Sequence, residues 1–514
     1  MLTNFLFTKD ETNEAVGKFW KSLKNAKIDN NFLRLPNDVY FLGDEKQGNV
    51  LYIRKCYDHL ANIVFNEEIF RCRISGNPGI GKTFFGFYLF YLLSQKNKTI
   101  VYYNFSQTPI LFNEQHTFRS SNLDVYFEEY LRNRDVWYIV DGLQPRQVKA
   151  KTILLCSPQK RHYNEFDKFV GTTIRYMPVW SWDEVNECKS GMFSHLDDNK
   201  IEDLFSIWGG IPRFVLEKAL DFSQQRRLED AIDRSDERLF QFVGELDHDQ
   251  DTSHKLIHIH TNLPREEGEE NEKGENAPYI QKFIRFASEW VAEKVMGKLE
   301  NNCSQRLRNF VVASYSENEY STLRGNIFEQ IAHKIIQKGG IFNIRPLESD
   351  SASSTIEIPE RIKLVFNDIN KIEEGRYCKP RQRNFTSIDA VVAPDTLFQM
   401  TVSKNHPINM NGLKKLAEKL GGTSGTNHIY FYFVLPKNLY DNFQAQHFTT
   451  GKTVAKKIPN WITNRVKQYA LEIDLSYHMR SIIRNSYAGV SLHDHKNSEF
   501  ISWTADIVTK HKNE

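Results

Sequence analysis

The chain has 514 residues, of which 40% are hydrophobic; this length exceeds what one hydrophobic core usually serves and predicts about three domains. The net charge of +2 neither favours nor excludes nucleic acid, although residues 401–514 hold 15 Lys and Arg against 8 Asp and Glu and are the part best suited to a polyanion. The six cysteines are widely spaced and form no CxxC pair, which argues against disulfides and zinc and favours a reducing cytosolic or nuclear setting.

The sequence shows no signal for membrane insertion or export. Its longest apolar run, residues 84–93, is about half the length required to cross a bilayer. The start of the sequence has an apolar patch but lacks a basic leader and a cleavage site. We therefore expect no membrane partner and no cleaved signal peptide here.

Changes of pattern along the chain predict its segments. Between residues 69 and 175, helical stretches alternate with the short apolar runs "IFRCRI", "TIVYYNF", "VWYIV" and "TILLC". Such runs are typical of strands buried on both faces, so a parallel sheet wrapped by helices is expected. The predicted segments are an N-terminal region at 1–50, this core at 51–181, a helical lid or linker at 182–300, a second domain at 301–490 and a tail at 491–514.

The segments after the core differ from one another. Residues 182–300 are interpreted as mostly amphipathic helix, from stretches such as "WDEVNECKSGMF" and "FIRFASEWVAEKVMGKL". After residue 301, the helical pattern "GNIFEQIAHKIIQKGG" precedes the apolar runs "SIDAVVA", "TLFQMTVS" and "HIYFYFVLP". A helix followed by several strands predicts an independent α/β domain, so the whole chain is predicted to be a multidomain α/β protein.

A glycine-rich loop follows the first predicted strand and precedes an apolar helix. It fits the pattern G-x-x-x-x-G-K-[ST] of the P-loop, in which glycines let backbone N–H groups approach the phosphates and the helix adds the positive end of its dipole. The lysine is expected to reach the β and γ phosphates and the threonine to coordinate Mg²⁺. The predicted nucleotide-binding residues of this loop are Gly76, Asn77, Pro78, Gly79, Ile80, Gly81, Lys82 and Thr83.

Three later residues are candidates to complete the nucleotide site. Asp141 ends the strand pattern "VWYIVDGL", where the acid that holds Mg²⁺ is expected, whereas Gly142 stands where many ATPases place a catalytic Glu. Hydrolysis is therefore expected to be slow or to use a base from elsewhere. Ser157 is either a γ-phosphate contact or a Ser-Pro turn residue. Arg213, in "WGGIPRFVL", is either a sensor of the nucleotide on a helical lid or an ordinary surface arginine.

A second group of polar residues lies toward the C-terminus. Asp389 and Gln399 fall on two apolar strands that the turn 393–395 joins, so a hairpin is expected to set the acid and the amide side by side. Glu329 falls on a predicted helix among apolar residues, either as a partly exposed flank or as a site residue.

These residues resemble the restriction-endonuclease-like nuclease core, whose pattern is a helical Glu, a strand Asp, and Glu or Gln followed two residues later by Lys. The resemblance implies carboxylates that hold Mg²⁺ at the scissile phosphate, with Asp389 as a metal ligand, and a lysine that orients water or stabilises charge. Thr401 occupies the lysine position in this chain. Lys404, or Lys414 and Lys415, would have to substitute; otherwise the core binds without cleaving.

Basic segments near this group point to DNA as the partner. The stretches "RYCKPRQR" and "GKTVAKKIPNWITNRVK" would supply phosphate contacts, and Tyr377 and Trp461 would offer stacking surfaces. Solvated basic surface is the alternative explanation.

The order of these motifs is similar to that in the Crinkler effectors and the related retrotransposon hot spot proteins, over roughly residues 50–475. The resemblance implies an AAA or STAND-like P-loop NTPase, with a parallel sheet and a helical lid, followed by a restriction-endonuclease-like domain. It implies Mg²⁺ and ATP or GTP as cofactors, and action on DNA in the nucleus of a host cell after secretion. Assembly into a homo-oligomer stays open.

Several functions are compatible with these patterns. The first is an NTP-controlled, Mg²⁺-dependent DNA endonuclease, in which Glu329, Asp389, Gln399 and Lys404 would be catalytic. The second is a nucleotide-switched DNA-binding or signalling NTPase with an inactive nuclease core. A translocase or helicase is a third, for which the sequence shows no dedicated motif.

Overall fold

The structure, a computed structural model of the chain, describes residues 11–105, 107–114, 116–120, 123–236, 239, 253–264, 277–299, 321–348, 352–381, 388–451 and 453–475. The chain divides into two units, Met1–Gln330 and Ile331–Glu514. Each unit combines a large sheet with helices, which confirms the α/β multidomain class. The finer segment boundaries stay a prediction, and the tail at 491–514 lies outside the described residues.

A seven-stranded sheet forms the centre of the first unit. The strands described in this unit are β1 (Ile28–Asp29), β2 (Phe32–Arg34), β3 (Val50–Tyr52), β4 (Arg71–Ser75), β5 (Ile100–Asn104), β6 (Gln107–Phe112), β7 (Thr117–Arg119), β8 (Trp137–Asp141), β9 (Lys151–Cys156), β10 (Thr172–Tyr176), β11 (Ile257–His260) and β12 (Phe283–Phe286). The large sheet has the order β10-β4-β9-β8-β5-β6-β7, while β1-β2-β3 and β11-β12 form small separate sheets.

The large sheet is mixed rather than purely parallel as predicted. Strands β10, β4, β9, β8 and β5 are parallel, and four of them are the apolar runs identified from the sequence. Strands β6 and β7 extend the edge with antiparallel pairing. Strand β6 begins so soon after β5 that the connection is too short for a parallel crossover.

Helices cover this sheet and make up most of the segment that follows it. Those described in the first unit are α1 (Glu11–Leu23), α2 (Lys55–Phe65), α3 (Lys82–Gln95), α4 (Leu123–Leu131), α5 (Asn164–Asp167), α6 (Trp182–Met192), α7 (Asp198–Trp208), the π-helix Arg213–Glu217, α8 (Phe222–Arg234), α9 (Ser253–Leu256) and α10 (289–299). No helix in the described part of the chain is long and apolar enough to cross a membrane.

The prediction of one continuous helix at 283–299 was wrong. Its first four residues form β12, which pairs with β11, and the helix begins only at residue 289. Ile284 and Phe286 are buried while the residues beside them are half-buried. This alternation has the period of a strand, so residues 283–286 pair as a strand before the helix begins.

Aromatic packing fixes the helix that follows the glycine-rich loop. Phe87 of α3 stacks on Phe41 with ring centroids 5.0 Å apart, and Phe19 of α1 contacts both Phe87 and Phe90. Buried side chains line all sides of α3, as expected for a helix that is apolar around its whole circumference. The start of α3, and with it the loop, is therefore held by a rigid core.

The second unit is built around an eight-stranded sheet of order β14-β13-β23-β20-β18-β17-β16-β15. Its described strands are β13 (Gly340–Pro346), β14 (Ser354–Ile358), β15 (Lys363–Phe366), β16 (Tyr377–Pro380), β17 (Ala390–Val392), β18 (Thr396–Met400), β19 (Ile408–Asn409), β20 (Ile429–Pro436), β21 (Phe448–Thr450), β22 (Thr453–Val454) and β23 (Val466–Ile473). Its described helices are α12 (Met410–Leu416), α13 (Lys437–Tyr440) and α14 (Asn460–Arg465), and α11 (Ser321–Lys338) crosses the boundary between the units.

The predicted hairpin forms in the middle of this sheet. Strands β17 and β18 pair antiparallel, with Ala390 opposite Phe398 and Val392 opposite Thr396. Strand β18 then pairs parallel with β20, an apolar strand that also pairs with β23. The hairpin is thus anchored on one side to the most buried strands of the unit.

A buried arginine closes the loop that leads into β20. Arg465 is 5% exposed, and its guanidinium donates to the carbonyl oxygens of Leu420, Gly422 and Asn427, at 2.6, 2.5 and 2.7 Å. The planar guanidinium carries donors on three nitrogens and can bond separated carbonyls at once. The ammonium of a lysine has its donors on one nitrogen and cannot span the same carbonyls.

Replacing this arginine tests the role of its three guanidinium hydrogen bonds. We expect Arg465→Lys to lower the unfolding free energy of the second unit by about 2–4 kcal/mol, because buried carbonyls lose their donors. Urea unfolding of the full chain measures the effect, with Arg361→Lys as the control, at a half-buried position whose guanidinium donates to one carbonyl, that of Gly375. Equal unfolding midpoints for the two variants would contradict the assignment.

Candidate functional site

The glycine-rich loop has the backbone conformation that its glycines predict. Gly79 and Gly81 have φ angles of 82° and 97°, in the left-handed region that other residues rarely adopt. A Cβ atom on Gly79 would lie 2.9 Å from the Cβ of Arg213, and one on Gly81 would lie 2.7 Å from the hydroxyl of Tyr57. Only glycine leaves the loop room to pass these neighbours.

Two aromatic side chains hold the loop from outside. The Tyr57 hydroxyl donates to the Gly81 carbonyl at 2.7 Å, and the Trp180 indole N–H donates to the Ile80 carbonyl at 2.8 Å. With these carbonyls bonded, the loop is fixed directly before α3 begins at Lys82. A loop of fixed amides at a helix N-terminus is suited to bind an anion.

Lys82 lies inside the loop. The residue is 8% exposed, and its ammonium group donates to the carbonyl oxygens of Gly76 and Asn77, at 2.8 and 2.7 Å. Burial lowers the pKa of Lys82 to about 8, against a smaller opposing effect of Asp141. A buried ammonium held by neutral carbonyls within a glycine loop fits a phosphate group, whose negative charge would favour the protonated lysine.

The predicted Mg²⁺ ligands lie in contact. The Thr83 hydroxyl donates to Oδ2 of Asp141 at 2.6 Å, and the Tyr102 hydroxyl also hydrogen-bonds to Asp141. Burial raises the pKa of Asp141, while the bond from Thr83 and the charge of Lys82 act in the opposite direction. A hydroxyl and a carboxylate on one side of the loop are the hard oxygen ligands that suit Mg²⁺.

The remaining two candidates flank the same loop. Ser157 directly follows β9, which lies between the strand that leads into the loop and the strand that ends in Asp141. Its hydroxyl lies 3.4 Å from Nδ1 of His162. Arg213 begins the π-helix, and its backbone N–H lies 3.4 Å from the Gly79 carbonyl. The sequence-predicted residues of the first unit therefore lie around the carboxyl ends of strands β4, β9 and β8.

Sequence reasoning missed several supports of this loop. The Asn77 amide both donates to and accepts from the backbone of Ile259, at 2.8 and 3.0 Å. Arg54, 1% exposed, bonds both carboxylate oxygens of Glu184 and lies over the ring of Trp180. These pairs are far apart in the chain, and no local pattern in the sequence could have identified them.

The buried lysine makes stability depend on pH. Below about pH 8 the folded and unfolded chains both hold the Lys82 proton, so the full burial penalty applies. Between about pH 8 and pH 10.5 only the unfolded chain holds it, so the unfolding free energy rises with pH, by up to about 3 kcal/mol for this difference in pKa.

We expect Lys82→Met to be the more stable protein at pH 7 and to lose the rise in unfolding free energy between about pH 8 and pH 10.5. Urea unfolding across this pH range measures the effect, and Lys27→Met, at an exposed position, is the matched control. A Lys82→Met profile parallel to that of the unaltered chain would contradict the burial penalty.

The hairpin of the second unit brings Asp389 and Gln399 together. Oδ2 of Asp389 accepts from the Gln399 side-chain amide and from the Met400 backbone N–H, both at 2.7 Å. Gln399 is 5% exposed, and its Oε1 is buried without a hydrogen-bond partner among the described residues. A carboxylate beside an unsatisfied amide oxygen fits a hard divalent cation. In the described residues, however, no cluster of three or more His, Cys, Asp and Glu side chains is arranged as a metal site.

The other predicted nuclease residues are less closely associated. Lys404 is exposed, and among the described residues Gln446 donates to its backbone carbonyl. Lys414 and Lys415 are exposed on α12. Glu329 is half-buried on α11, within the part of that helix counted with the first unit, so its convergence with the hairpin stays a prediction.

The prediction that Tyr377 offers a stacking surface was wrong. Its ring is 1% exposed, and its hydroxyl lies 2.6 Å from Nδ1 of His333. Lys379, in the same basic segment, is 4% exposed within β16, while residues 382–383 lie outside the described part. Both side chains are therefore buried within the second unit. Trp461 is half-buried against the core around α14.

Comparison with known proteins relates the chain to one group. No family model matches it. The chain is 27% identical over 449 residues to Crinkler effector protein 15 of Phytophthora infestans, and Crinkler effector protein 16 of the same organism matches at the same identity and length. Each match covers 82% of this chain but 66% of the relative, just under two thirds of its length.

Proposed function

We propose that this chain, which is similar to two Crinkler effector proteins, is an effector in which a nucleotide-binding unit controls a Mg²⁺-dependent DNA endonuclease. The first unit would bind ATP or GTP, and the second would cut DNA. Delivery into a host cell and action in its nucleus belong to the same proposal.

The observation that carries the nucleotide-binding part is the buried ammonium of Lys82 within the glycine loop. A buried lysine bonded only to carbonyls keeps an unfavourable burial free energy, which a phosphate group would offset. The adjacent contact between Thr83 and Asp141 supplies oxygens for the metal that accompanies a nucleotide. When bound, Mg²⁺ would neutralise charge on the phosphates.

The protein groups around the phosphates have distinct roles in this proposal. Lys82 contacts the β and γ phosphates, and the amides of the glycine loop hold the phosphate oxygens. Ser157 follows the end of β9, next to the strand that leads into the loop, where its hydroxyl is suited to contact the terminal phosphate. Arg213 begins the π-helix and packs against Gly79, which supports a role for its guanidinium as a sensor of the nucleotide.

Slow turnover suits this arrangement. The residue after Asp141 is Gly142, with a φ angle of 74°, so no carboxylate stands there to polarise the attacking water. A nucleotide that is hydrolysed slowly holds the protein in its bound state for long periods. The first unit is therefore better suited to be a switch than a motor.

We expect the unaltered chain to bind a slowly hydrolysed ATP analogue with Mg²⁺. Lys82→Ala should weaken this binding at least about tenfold, since a charge-assisted contact to phosphate is lost. Asp141→Asn should mainly reduce the gain in affinity that Mg²⁺ provides. Calorimetry with and without Mg²⁺ measures both effects, with exposed Lys27→Ala as the control. Unchanged affinity in Lys82→Ala would refute this site.

The nuclease part is supported by the pair of Asp389 and Gln399. The carboxylate is held by two donors, and the buried amide oxygen beside it is a ready ligand for a cation. Such a cation would polarise a phosphate and lower the pKa of a bound water. The excess of basic residues after position 401 suits DNA as the substrate.

For the nuclease, we expect Mg²⁺-dependent nicking of plasmid DNA that EDTA abolishes. Asp389→Asn should reduce it at least about 100-fold, because the carboxylate is a metal ligand in this proposal. Asp441→Asn, at an exposed position, is the matched control. Equal nicking by Asp389→Asn and the unaltered chain would exclude this active site.

A binding-only core is the alternative, and one observation favours it. Thr401 occupies the position where nucleases of this kind have a lysine, and the proposed substitute Lys404 is exposed. A core of this type would bind DNA with an affinity that falls steeply with salt, yet would not cut it. Salt-dependent binding without nicking under all metal conditions would support this alternative.

A further inference from the structure

We propose that the side-chain oxygen of Asn104 holds the water that attacks the γ-phosphate in the first unit, in place of a carboxylate at Gly142. This inference rests on the proposed nucleotide site and names the group that allows slow hydrolysis there. It follows from the position of Asn104 at the end of β5, from the direction in which its amide is fixed, and from a buried oxygen that lacks a partner among the described residues.

Asn104 lies beside Asp141 at the carboxyl end of the large sheet. Strands β5 and β8 pair parallel, with Asn104 opposite Asp141. Neighbouring strands are about 5 Å apart, and residues opposite each other in a parallel pair project to the same face. The Thr83 hydroxyl reaches Asp141 from the start of α3. Asn104 is therefore one strand spacing from this carboxylate, on the side of β8 away from the strand that leads into the glycine loop.

The hydroxyl of Tyr102 fixes the direction of the Asn104 amide. This hydroxyl hydrogen-bonds to Asp141 and opposes the rise in the pKa of Asp141 that burial causes, so its proton is directed at the carboxylate. The Tyr102 oxygen then serves as an acceptor, and Nδ2 of Asn104 donates to it at 3.1 Å. Tyr102 is 2% exposed, so the packing around its ring holds the hydroxyl in place. With its nitrogen bonded to Tyr102, the amide presents its oxygen in another direction.

The oxygen of this amide is buried. Oδ1 of Asn104 has no hydrogen-bond partner within the described ranges of the chain. A buried acceptor without a donor is unfavourable, because the same group is hydrogen-bonded in water when the chain is unfolded. A bound water would satisfy this oxygen and would lie near Asp141, on the side where the proposed function places the terminal phosphate.

Two other polar side chains near these strand ends are less suited to hold the water. Nε2 of His162 accepts from the Nε–H of Arg161 at 3.1 Å, and its Nδ1 lies 3.4 Å from the Ser157 hydroxyl. Both ring nitrogens are therefore engaged. Gln144 has a buried side-chain nitrogen without a partner in the described part of the chain, but an amide nitrogen donates and cannot accept from water.

An amide at this position accounts for slow hydrolysis. In the reaction the water oxygen bonds the γ phosphorus, and the bond from that phosphorus to the bridging oxygen breaks, with its electron pair leaving on the nucleoside diphosphate. The Asn104 oxygen orients the water by accepting a hydrogen bond, but an amide does not take up a proton. The proton passes instead to an oxygen of the phosphate. Orientation without a base gives a lower rate than a carboxylate would.

Phosphate release from saturating ATP with Mg²⁺ by the full chain tests this role. We expect Asn104→Ala to lower kcat at least about tenfold, with unchanged affinity for a slowly hydrolysed ATP analogue, because only the water loses its contact. Asn104→Asp should raise kcat at least about tenfold, since a carboxylate can take the proton, and this gain should disappear as acid protonates the new carboxylate. Asn25→Ala and Asn25→Asp, at an exposed position, are the matched controls.

The outcomes separate this inference from the proposal beneath it. An unchanged kcat in Asn104→Ala overturns the role of Asn104 but leaves the nucleotide site intact. If Asn104→Ala instead loses the gain in analogue affinity that Mg²⁺ provides, the oxygen serves the metal and the inference fails. If Asn104→Ala is slow and Asn104→Asp gains nothing, the residue is merely structural and the inference also fails.

Two further results concern the unaltered chain. If it binds the analogue, but neither it nor Asn104→Asp releases phosphate, the role of Asn104 is refuted while the binding site stands. If the unaltered chain does not bind the analogue, the proposed nucleotide site and the role of Asn104 are refuted together.

Discussion

The buried ammonium of Lys82 is the constraint on which the glycine-rich loop of the first unit depends. Removing a cation from water is unfavourable, and the carbonyls of Gly76 and Asn77 compensate only in part, since burial still lowers the pKa to about 8. The fold retains this arrangement because rigid neighbours leave the loop no alternative. Tyr57 and Trp180 bond the loop carbonyls, and the aromatic core around α3 fixes the start of the helix. Unrelieved burial of this kind is typical of a site built for a ligand rather than for stability.

The two units hold their acids in different ways, and the difference matters for what each can do. Asp141 lies at the end of a parallel strand, where a hydroxyl from the neighbouring helix reaches it. Asp389 lies instead in an antiparallel hairpin, and its donors come from the paired strand. In the first arrangement, the acid contacts a hydroxyl at the start of a helix, which suits a small ligand that binds and dissociates. The second fixes the acid within a sheet, which suits a site that must present a metal to a large substrate.

Local patterns in the sequence were enough for much of this structure. The apolar runs became the parallel strands, the loop at Gly76–Thr83 took its glycine conformation, and the hairpin set Asp389 beside Gln399. Predictions failed where a distant partner decides the outcome. Strand β12 forms because β11 pairs with it, and Tyr377 is buried because His333 of α11 packs against it. The antiparallel edge of the first sheet likewise follows from a short connection that apolar periodicity alone does not reveal.

The pairing of Asn77 with Ile259 has a consequence for how the first unit acquires its function. The two residues are 182 positions apart, yet each makes a backbone-like pair of hydrogen bonds with the other. The glycine loop is usually regarded as a self-contained motif. Here, the hydrogen bonds of its second residue, Asn77, form only once β11 has been synthesised and folded. During synthesis the emerging chain would thus pass through a long stage in which the motif is present in sequence but not yet shaped. The loop therefore reaches its described conformation only after most of the first unit has left the ribosome.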